Sequence, residues 1–272
     1  MRIPYWQVDV FSDKPLAGNP LVVFFVDSAI ANKLPYAALA RETNLSETAF
    51  ILPPEVAGDY HLRIFTPRRE LPFSGHPSLG SAFAYTEYHA LYDATVIQES
   101  LNQSTTLWRK GSRIAMNVGM GIAVRPVDPS ILYGLFHLDL GGIPEVASTG
   151  LSQLLVPLHT HAELEDLALD PHLLSEVCKN MDVSGAYFYY VQKKRTIFAR
   201  FFSPQDGILE DPATGSAAGA LAVHLKLKAN ERLTIHQGLE IQRPSTIYVE
   251  QTQRGIVVSG DVVKVSEGSF EI

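Results

Sequence analysis

Two stretches of this chain, far apart in sequence, read as the same piece of structure. They are residues 70–84 (ELPFSGHPSLGSAFA) and residues 210–224 (EDPATGSAAGALAVH). Each opens with polar, turn-forming residues, narrows through glycine, and continues as small apolar residues at helical spacing. A loop that enters a helix this way leaves several backbone N–H groups without intrahelical partners. With the positive end of the helix dipole, those groups form a site for an anion. The rest of the chain reads as two scaffolds that bring these two corners face to face.

The flanking text repeats as well. RIFTP at residues 63–67 matches RFFSP at residues 200–204, and GSAFA at 80–84 resembles GSAAG at 215–219 once a two-residue gap is allowed. A period of about 137 residues is too long for a solenoid and indicates a duplicated α+β unit. Strands are expected at residues 8–11, 21–26, 46–52, 60–66, 95–99, 105–108 and 113–117, and then at 151–158, 186–192, 196–203, 233–236, 246–250 and 256–259. Helices are few: residues 31–43, ended by Asn44, residues 162–181, broken at Pro171, and one after each corner. Strands in runs around single helices predict an α+β fold of two similar lobes, each a curved mixed sheet wrapped around a central helix. The lobe boundary is expected in the Gly- and Pro-rich residues 118–129, with an active-site cleft between the lobes.

Composition narrows the function classes. With 22 basic and 29 acidic residues the formal charge is −7, which favours neither nucleic acid nor an anionic membrane. A small anionic substrate could still be held by local geometry. Cys178 is the only cysteine, so there is no disulfide framework and no thiolate metal cluster, and its helical context suggests a buried, inert thiol. The first residues contain no signal-peptide run, and the longest early apolar run, residues 21–26, is too short to span a membrane. A cytoplasmic protein is expected.

Several residues could carry chemistry. Glu47 stands at the mouth of the strand SETAFIL, and its counterpart in the second half is Gly185, so one half has a carboxylate where the other has nothing. A carboxyl group can take and return a proton; the alternative is an exposed strand-end Glu. His76 follows Ser74 and Gly75 at the first corner and could donate to or relay a proton with a ligand, or simply cap the helix. Asp211 could accept from a ligand amine or hydroxyl, or serve only the Asp-Pro turn. Gly215 and Ser216 could offer N–H and hydroxyl groups to a carboxylate, or be ordinary capping residues. Asn19 is a turn residue that could also donate to a ligand. His159 and His161 have the spacing of a metal pair but no third ligand, so no metal is expected. There is no GxSxG elbow, no phosphate-binding loop and no call for an organic cofactor.

Taken together, VDVFSDKPLAGNPLVVF, ETNLSETAFI, RIFTPRRELPFSGHPSLGSAFA, RFFSPQDGILEDPATGSAAGALA, HQGLEIQRPS and GIVVSGDVVKV resemble the phenazine-biosynthesis isomerase (PhzF-like) family, whose fold is that of diaminopimelate epimerase. The resemblance runs from residue 8 to residue 265. It implies a cofactor-free homodimeric enzyme whose last strand, about 260–272, crosses back to the first lobe. The lobes would then be residues 1–120 with 260–272, and residues 121–259. It further implies that Glu47 shuttles the proton while His76, Asp211 and Ser216 assist by binding, with Asn19, Ser46, Ser74, Gly75 and Gly215 around them. One departure is Gln242, where the family often has Gly before Arg-Pro.

Epimerase relatives use two opposed cysteines, and both corners here lack Cys. Inversion needs a group on each face of a carbon, since one base returns its proton to the side it came from. A single Glu therefore favours a proton shift over racemisation. The expected activity is an isomerisation of a small cyclic or acyclic amino or hydroxy acid. Two alternatives are an epimerase with His76 or Asp211 as second base, and a non-catalytic binding protein of the same fold.

Overall fold

The computed structural model describes residues 1–101, 103–193 and 195–272. The chain forms two compact units, Met1–Asn117 with Ser259–Ile272, and Val118–Val258. The first unit contains β1 (Arg2–Val10), β2 (Asn19–Phe25), α1 (Ser28–Ala31), α2 (Tyr36–Thr43), β3 (Thr48–Leu52), β4 (Tyr60–Phe65), β5 (Glu70–Leu71), α3 (Gly75–Tyr88), β6 (Thr95–Ser100), β7 (Gln103–Lys110) and β8 (Arg113–Asn117). The second contains β9 (Ile122–Pro126), α4 (Pro129–Phe136), β10 (Glu145–Ser148), β11 (Ser152–Pro157), α5 (His161–Glu165), α6 (Pro171–Met181), β12 (Ala186–Lys193), β13 (Thr196–Ser203), β14 (Ile208–Asp211), α7 (Gly215–His224), β15 (Arg232–Gln237) and β16 (Ser245–Thr252). The last strand, β17 (Gly255–Glu271), starts in the second unit and runs on into the first.

In the first unit β1 pairs antiparallel with β2, β2 parallel with β3, β3 antiparallel with β4, and β4 parallel with β6. β6, β7 and β8 follow antiparallel, β17 pairs with β8, and β17 lies antiparallel to β1 from Val262 to Glu271. The mixed sheet thereby returns to its first strand around α3. That helix is buried from Gly75 through Ala84, as a helix apolar on all sides must be. Contact is close enough that a Cβ on Gly80 would come within 2.5 Å of Leu21 Cδ2. On the outer face, α2 covers Phe24, Phe50 and Phe65, with Phe24 stacked on Phe50.

The second unit repeats this register. Thr48 faces Phe65 and Phe50 faces Arg63, as Ala186 faces Phe202 and Phe188 faces Arg200. The parallel pairs also correspond, Val22 with Thr48 and Leu154 with Ala186. In each unit an arginine of this register grips a glutamate at the corner in a two-pronged pair. Arg63 meets Glu70 at 2.7 and 2.8 Å, and Arg200 meets Glu210 at 2.9 and 2.8 Å.

The helices show where the two halves truly correspond. α3 starts at Gly75 and α7 at Gly215, each five residues after its paired glutamate. Gly75 therefore matches Gly215, and the likeness of GSAFA to GSAAG is a coincidence of letters. The extra residues lie earlier, where Pro204–Asp206 form a single 3₁₀ turn. Two other expectations change. Residues 31–43 are not one helix, because Pro35 closes the turn after α1 and takes the N-cap place of α2. Residues 118–129, where the lobe boundary is expected, open the second unit at Val118 and also hold a strand not among those expected, β9, paired with β10. β9 is exposed along its whole length, so burial left no periodic trace in its sequence. Among the described residues no helix is long and apolar enough to cross a membrane.

Candidate active site

The first corner is built where β3 begins. α2 ends at Asn44, which takes the left-handed conformation with φ 50°, and the chain turns through Leu45 and Ser46 to reach the sheet. Glu47 is the residue before β3 and is buried. Ser74 Oγ donates to its Oε1 at 3.1 Å, and His76 Nδ1 lies 3.4 Å from its Oε2. Ser74 occupies the N-cap place of α3 in extended conformation, yet its side chain makes no capping bond. Its hydroxyl is given to Glu47 instead, so the first turn of α3 keeps its N–H groups for another acceptor.

His76 is 5 % exposed, and burial lowers its pKa from the usual 6.5, with Glu47 acting in the opposite direction. The ring is therefore neutral at neutral pH. With Nδ1 turned to the carboxylate, its Nε2 is buried and makes no hydrogen bond among the described residues. A second row of polar groups holds the corner from below. Ser78 Oγ donates to the Ser74 carbonyl at 2.8 Å, Gln98 Nε2 donates to Ser78 Oγ at 3.0 Å, and the Tyr60 hydroxyl donates to Gln98 Oε1 at 3.1 Å. Asn19, fully buried, opens β2, and the parallel pairing of Val22 with Thr48 puts it at the same strand end as Glu47. Ser46 is half-buried beside Glu47 in the chain, and Gly75 is the buried first residue of α3.

The second corner uses the same device with different residues. Thr214 takes the N-cap place of α7, makes no capping bond, and donates its hydroxyl to Asp211 Oδ2 at 2.5 Å. Gln237, at the end of β15 and fully buried, ties this loop together. Its Nε2 donates to the Asp211 carbonyl and to Thr214 Oγ1, while its Oε1 accepts from Thr214 N–H and from the Tyr187 hydroxyl. Burial, and then the charge of Asp211, raise the Tyr187 pKa far above the usual range for a phenol, so it stays a donor. Gly215 is buried at the helix start. Ser216 does not join Asp211 and Thr214 in this network; its Oγ accepts from Gln153 Nε2 at 3.3 Å.

The asymmetry between the halves has a steric cause. A Cβ on Gly185, the counterpart of Glu47, would lie 2.3 Å from the Phe201 ring and 2.7 Å from the Phe202 carbonyl oxygen. No side chain fits there. Elsewhere, His161 Nδ1 lies 3.6 Å from Glu165 and the exposed His159 lies 3.8 Å from Asp139. Among the described residues no group of three or more His, Cys, Asp or Glu is placed to hold a metal. Cys178 is buried and its thiol is pushed up to about 12 by burial.

The sequence reading missed Gln98, Gln237, Tyr187, Thr214 and Gln153. A signal was available for the first two: Val96, Gln98 and Ser100 alternate inward on β6, as Leu233, Ile235 and Gln237 do on β15. A polar residue on a core-facing position of a strand must find buried partners.

Likeness to known proteins extends over the whole chain. Residues 8–268 match the family described as "Phenazine biosynthesis-like protein". A trans-2,3-dihydro-3-hydroxyanthranilate isomerase from Pseudomonas chlororaphis is 33 % identical, with 98 % of each chain covered. Among solved structures, a predicted epimerase from Pseudomonas aeruginosa is 30 % identical with a TM-score of 0.83, covering 98 % of this chain and 99 % of the other. A phenazine biosynthesis protein of the PhzF family from Bacillus anthracis shares the fold at a TM-score of 0.85 and 22 % identity, with 100 % of both chains covered.

Proposed function

We propose, from the premise that this chain belongs to the phenazine biosynthesis-like protein family and is an isomerase, that it shifts a proton within a small anionic amino or hydroxy acid, with Glu47 as the acid/base. The observation that carries this is the setting of one carboxylate. Ser74 and the neutral His76 engage its two oxygens, and Gly185 and Phe201 forbid a counterpart in the other half. In the proposed step the Glu47 carboxylate takes a proton from a substrate carbon. The C–H electron pair forms a new double bond to the neighbouring carbon, the π pair of the original double bond is displaced to the far end of the system, and there it takes the same proton back from the carboxyl group.

The hydrogen bond from Ser74 Oγ–H, with His76 Nδ1 3.4 Å from the other oxygen, holds the Glu47 carboxylate in one orientation. His76 Nε2 is then an acceptor, suited to a substrate hydroxyl or amine. At the second corner Asp211 is assigned to a substrate amine or hydroxyl, and the Gly215 N–H with Ser216 to its carboxylate.

The first substrate to test is trans-2,3-dihydro-3-hydroxyanthranilate, for which the P. chlororaphis relative is named. Turnover followed by ultraviolet absorbance should fall roughly 10²–10⁴-fold in Glu47→Gln, the range expected for loss of a general acid/base. Equal turnover by Glu47→Gln and the parent protein would refute the assignment.

Asp211 supports a second reading, an epimerase, because it supplies another carboxylate. Solvent deuterium separates the two. Inversion through two groups puts a solvent deuteron into product at every turnover, whereas a single shuttling Glu returns part of the original hydrogen.

A further inference from the structure

We propose that Gln153 is a positioning residue of the second corner: it fixes the Ser216 hydroxyl as a hydrogen-bond donor and so reserves it for the carboxylate of the substrate. The claim rests on the assignment of that corner to the anionic group.

The local packing fixes the contact. The turn between β10 and β11 is seated on the first turns of α7, where Thr149 Oγ1 donates to the Ser216 carbonyl at 3.3 Å. A Cβ on Gly219 would lie 2.9 Å from Thr149 Oγ1, so helix and turn are in close contact. This places Gln153, 1 % exposed on β11, beneath Ser216, with its Nε2 donating to Ser216 Oγ at 3.3 Å. A serine hydroxyl has one hydrogen and two lone pairs. With a lone pair engaged by the amide, its hydrogen is directed to a different acceptor. The N–H groups that begin α7 are themselves donors and offer none. An anion at the helix start accepts from both.

The other half of the amide shows that this arrangement is not a product of packing alone. Gln153 Oε1 is buried and has no hydrogen-bond partner among the described residues. A buried amide oxygen without a partner disfavours the fold, so its retention calls for a compensating role. The repeat shows that the sheet does not require an amide here. Gln153 stands one residue before Leu154, which pairs with Ala186; its counterpart stands one residue before Val22, which pairs with Thr48. That counterpart is Leu21, fully buried and close against Gly80. Apolar packing satisfies the position in the first unit, and an amide replaces it only where the residue above is Ser216. His76 is the counterpart of Ser216, one residue after the helix-starting glycine, and its polar partner is Glu47. In each half, then, the second residue of the central helix is held by a buried polar side chain of the sheet end. At the first corner that partner is a carboxylate, and at the second it is an amide that leaves the hydroxyl's hydrogen to spare.

The test uses full-length protein, turnover of trans-2,3-dihydro-3-hydroxyanthranilate, and calorimetric titration with benzoate as a carboxylate probe. Gln153→Met keeps length and volume but cannot hydrogen-bond. It should raise KM and the benzoate Kd roughly tenfold with kcat little changed, the effect of losing one hydrogen bond to a charged group. Gln153→Glu draws the Ser216 hydrogen to itself and repels the anion, so its loss should be larger, roughly a hundredfold. In a Ser216→Ala background, Gln153→Met should add no further loss, because its effect passes through Ser216. A merely structural glutamine would give additive losses there, and that result overturns the claim, as does parent-like affinity in both Gln153 variants or a parent protein that binds no benzoate. Should the Met variant fail to fold, the Glu variant carries the same comparison. If the parent does not turn over the named substrate, the proposed reaction fails on that substrate, while the benzoate titration still decides the role of Gln153.

Discussion

His76 couples the first corner to pH. Its folded-state pKa is depressed, first by burial, so the folded protein refuses a proton that the unfolded chain accepts near 6.5. The sign follows directly: its contribution to stability is fully present above about 6.5 and is lost as pH falls below that value. Melting temperatures of the parent should therefore drop more steeply between pH 7.5 and pH 5.5 than those of His76→Asn. His236, also depressed by burial, keeps the variant from being flat. Parallel curves for the two proteins would show that the ring is not held neutral. Gln242 illustrates a different residue-scale effect. It has φ 58°, in the left-handed region that glycine enters freely, which accounts for the glycine that PhzF-like chains often carry at this place.

The corner loops are held by ion pairs of unequal burial. Arg200 and Glu210 are each about 10 % exposed at the side chain, and Arg200 also donates to the carbonyls of Leu164, Glu165 and Leu167 around the end of α5. Arg63 and Glu70 are each about a third exposed. Breaking a buried pair strands a charge away from water and costs several kcal/mol, whereas an accessible pair is worth little. Glu210→Gln should therefore destabilise the protein by about 3 kcal/mol in urea titrations. That is the low end for a buried pair, because Glu240 stands 3.9 Å from the same guanidinium. Glu70→Gln should cost about 1 kcal/mol or less. Equal losses would mean that the two loops are braced by something other than these pairs. Another loop, between β3 and β4, depends on Glu99, which accepts from the N–H groups of Glu55, Val56, Ala57 and Gly58. Those bonds, led by the one from Gly58, hold its carboxyl down at about 2.

At the scale of the whole molecule, β17 is the strand on which the first unit depends. Residues 262–271 pair with β1, and Phe270 sets its ring against Tyr5 and Phe24. Ending the chain after Gly260 removes these contacts while leaving Val118–Val258 complete. Limited proteolysis of that truncated protein should digest residues 1–117 and leave a protected fragment close to 118–258. Equal protection of both halves would show that β1 and β8 close without β17.

Much of this was written in the chain itself. Alternation and turn residues predict β3, β4, β12 and β13 nearly to the residue, because a strand buried on one or both faces must carry its pattern locally. The start at Gly215 is legible because a glycine leads directly into small apolar residues at helical spacing, whereas the letters match it to Gly80 and the helices themselves match it to Gly75. What the residues could not announce is which polar atoms meet. That Ser74 and Thr214 give up capping to hold Glu47 and Asp211, that Phe201 closes the space above Gly185, and that an amide lies under Ser216 all follow from sheet register and helix rotation. Those contacts join residues far apart in sequence, and a hydrogen bond depends on separations of a few tenths of an ångström that local pattern does not encode.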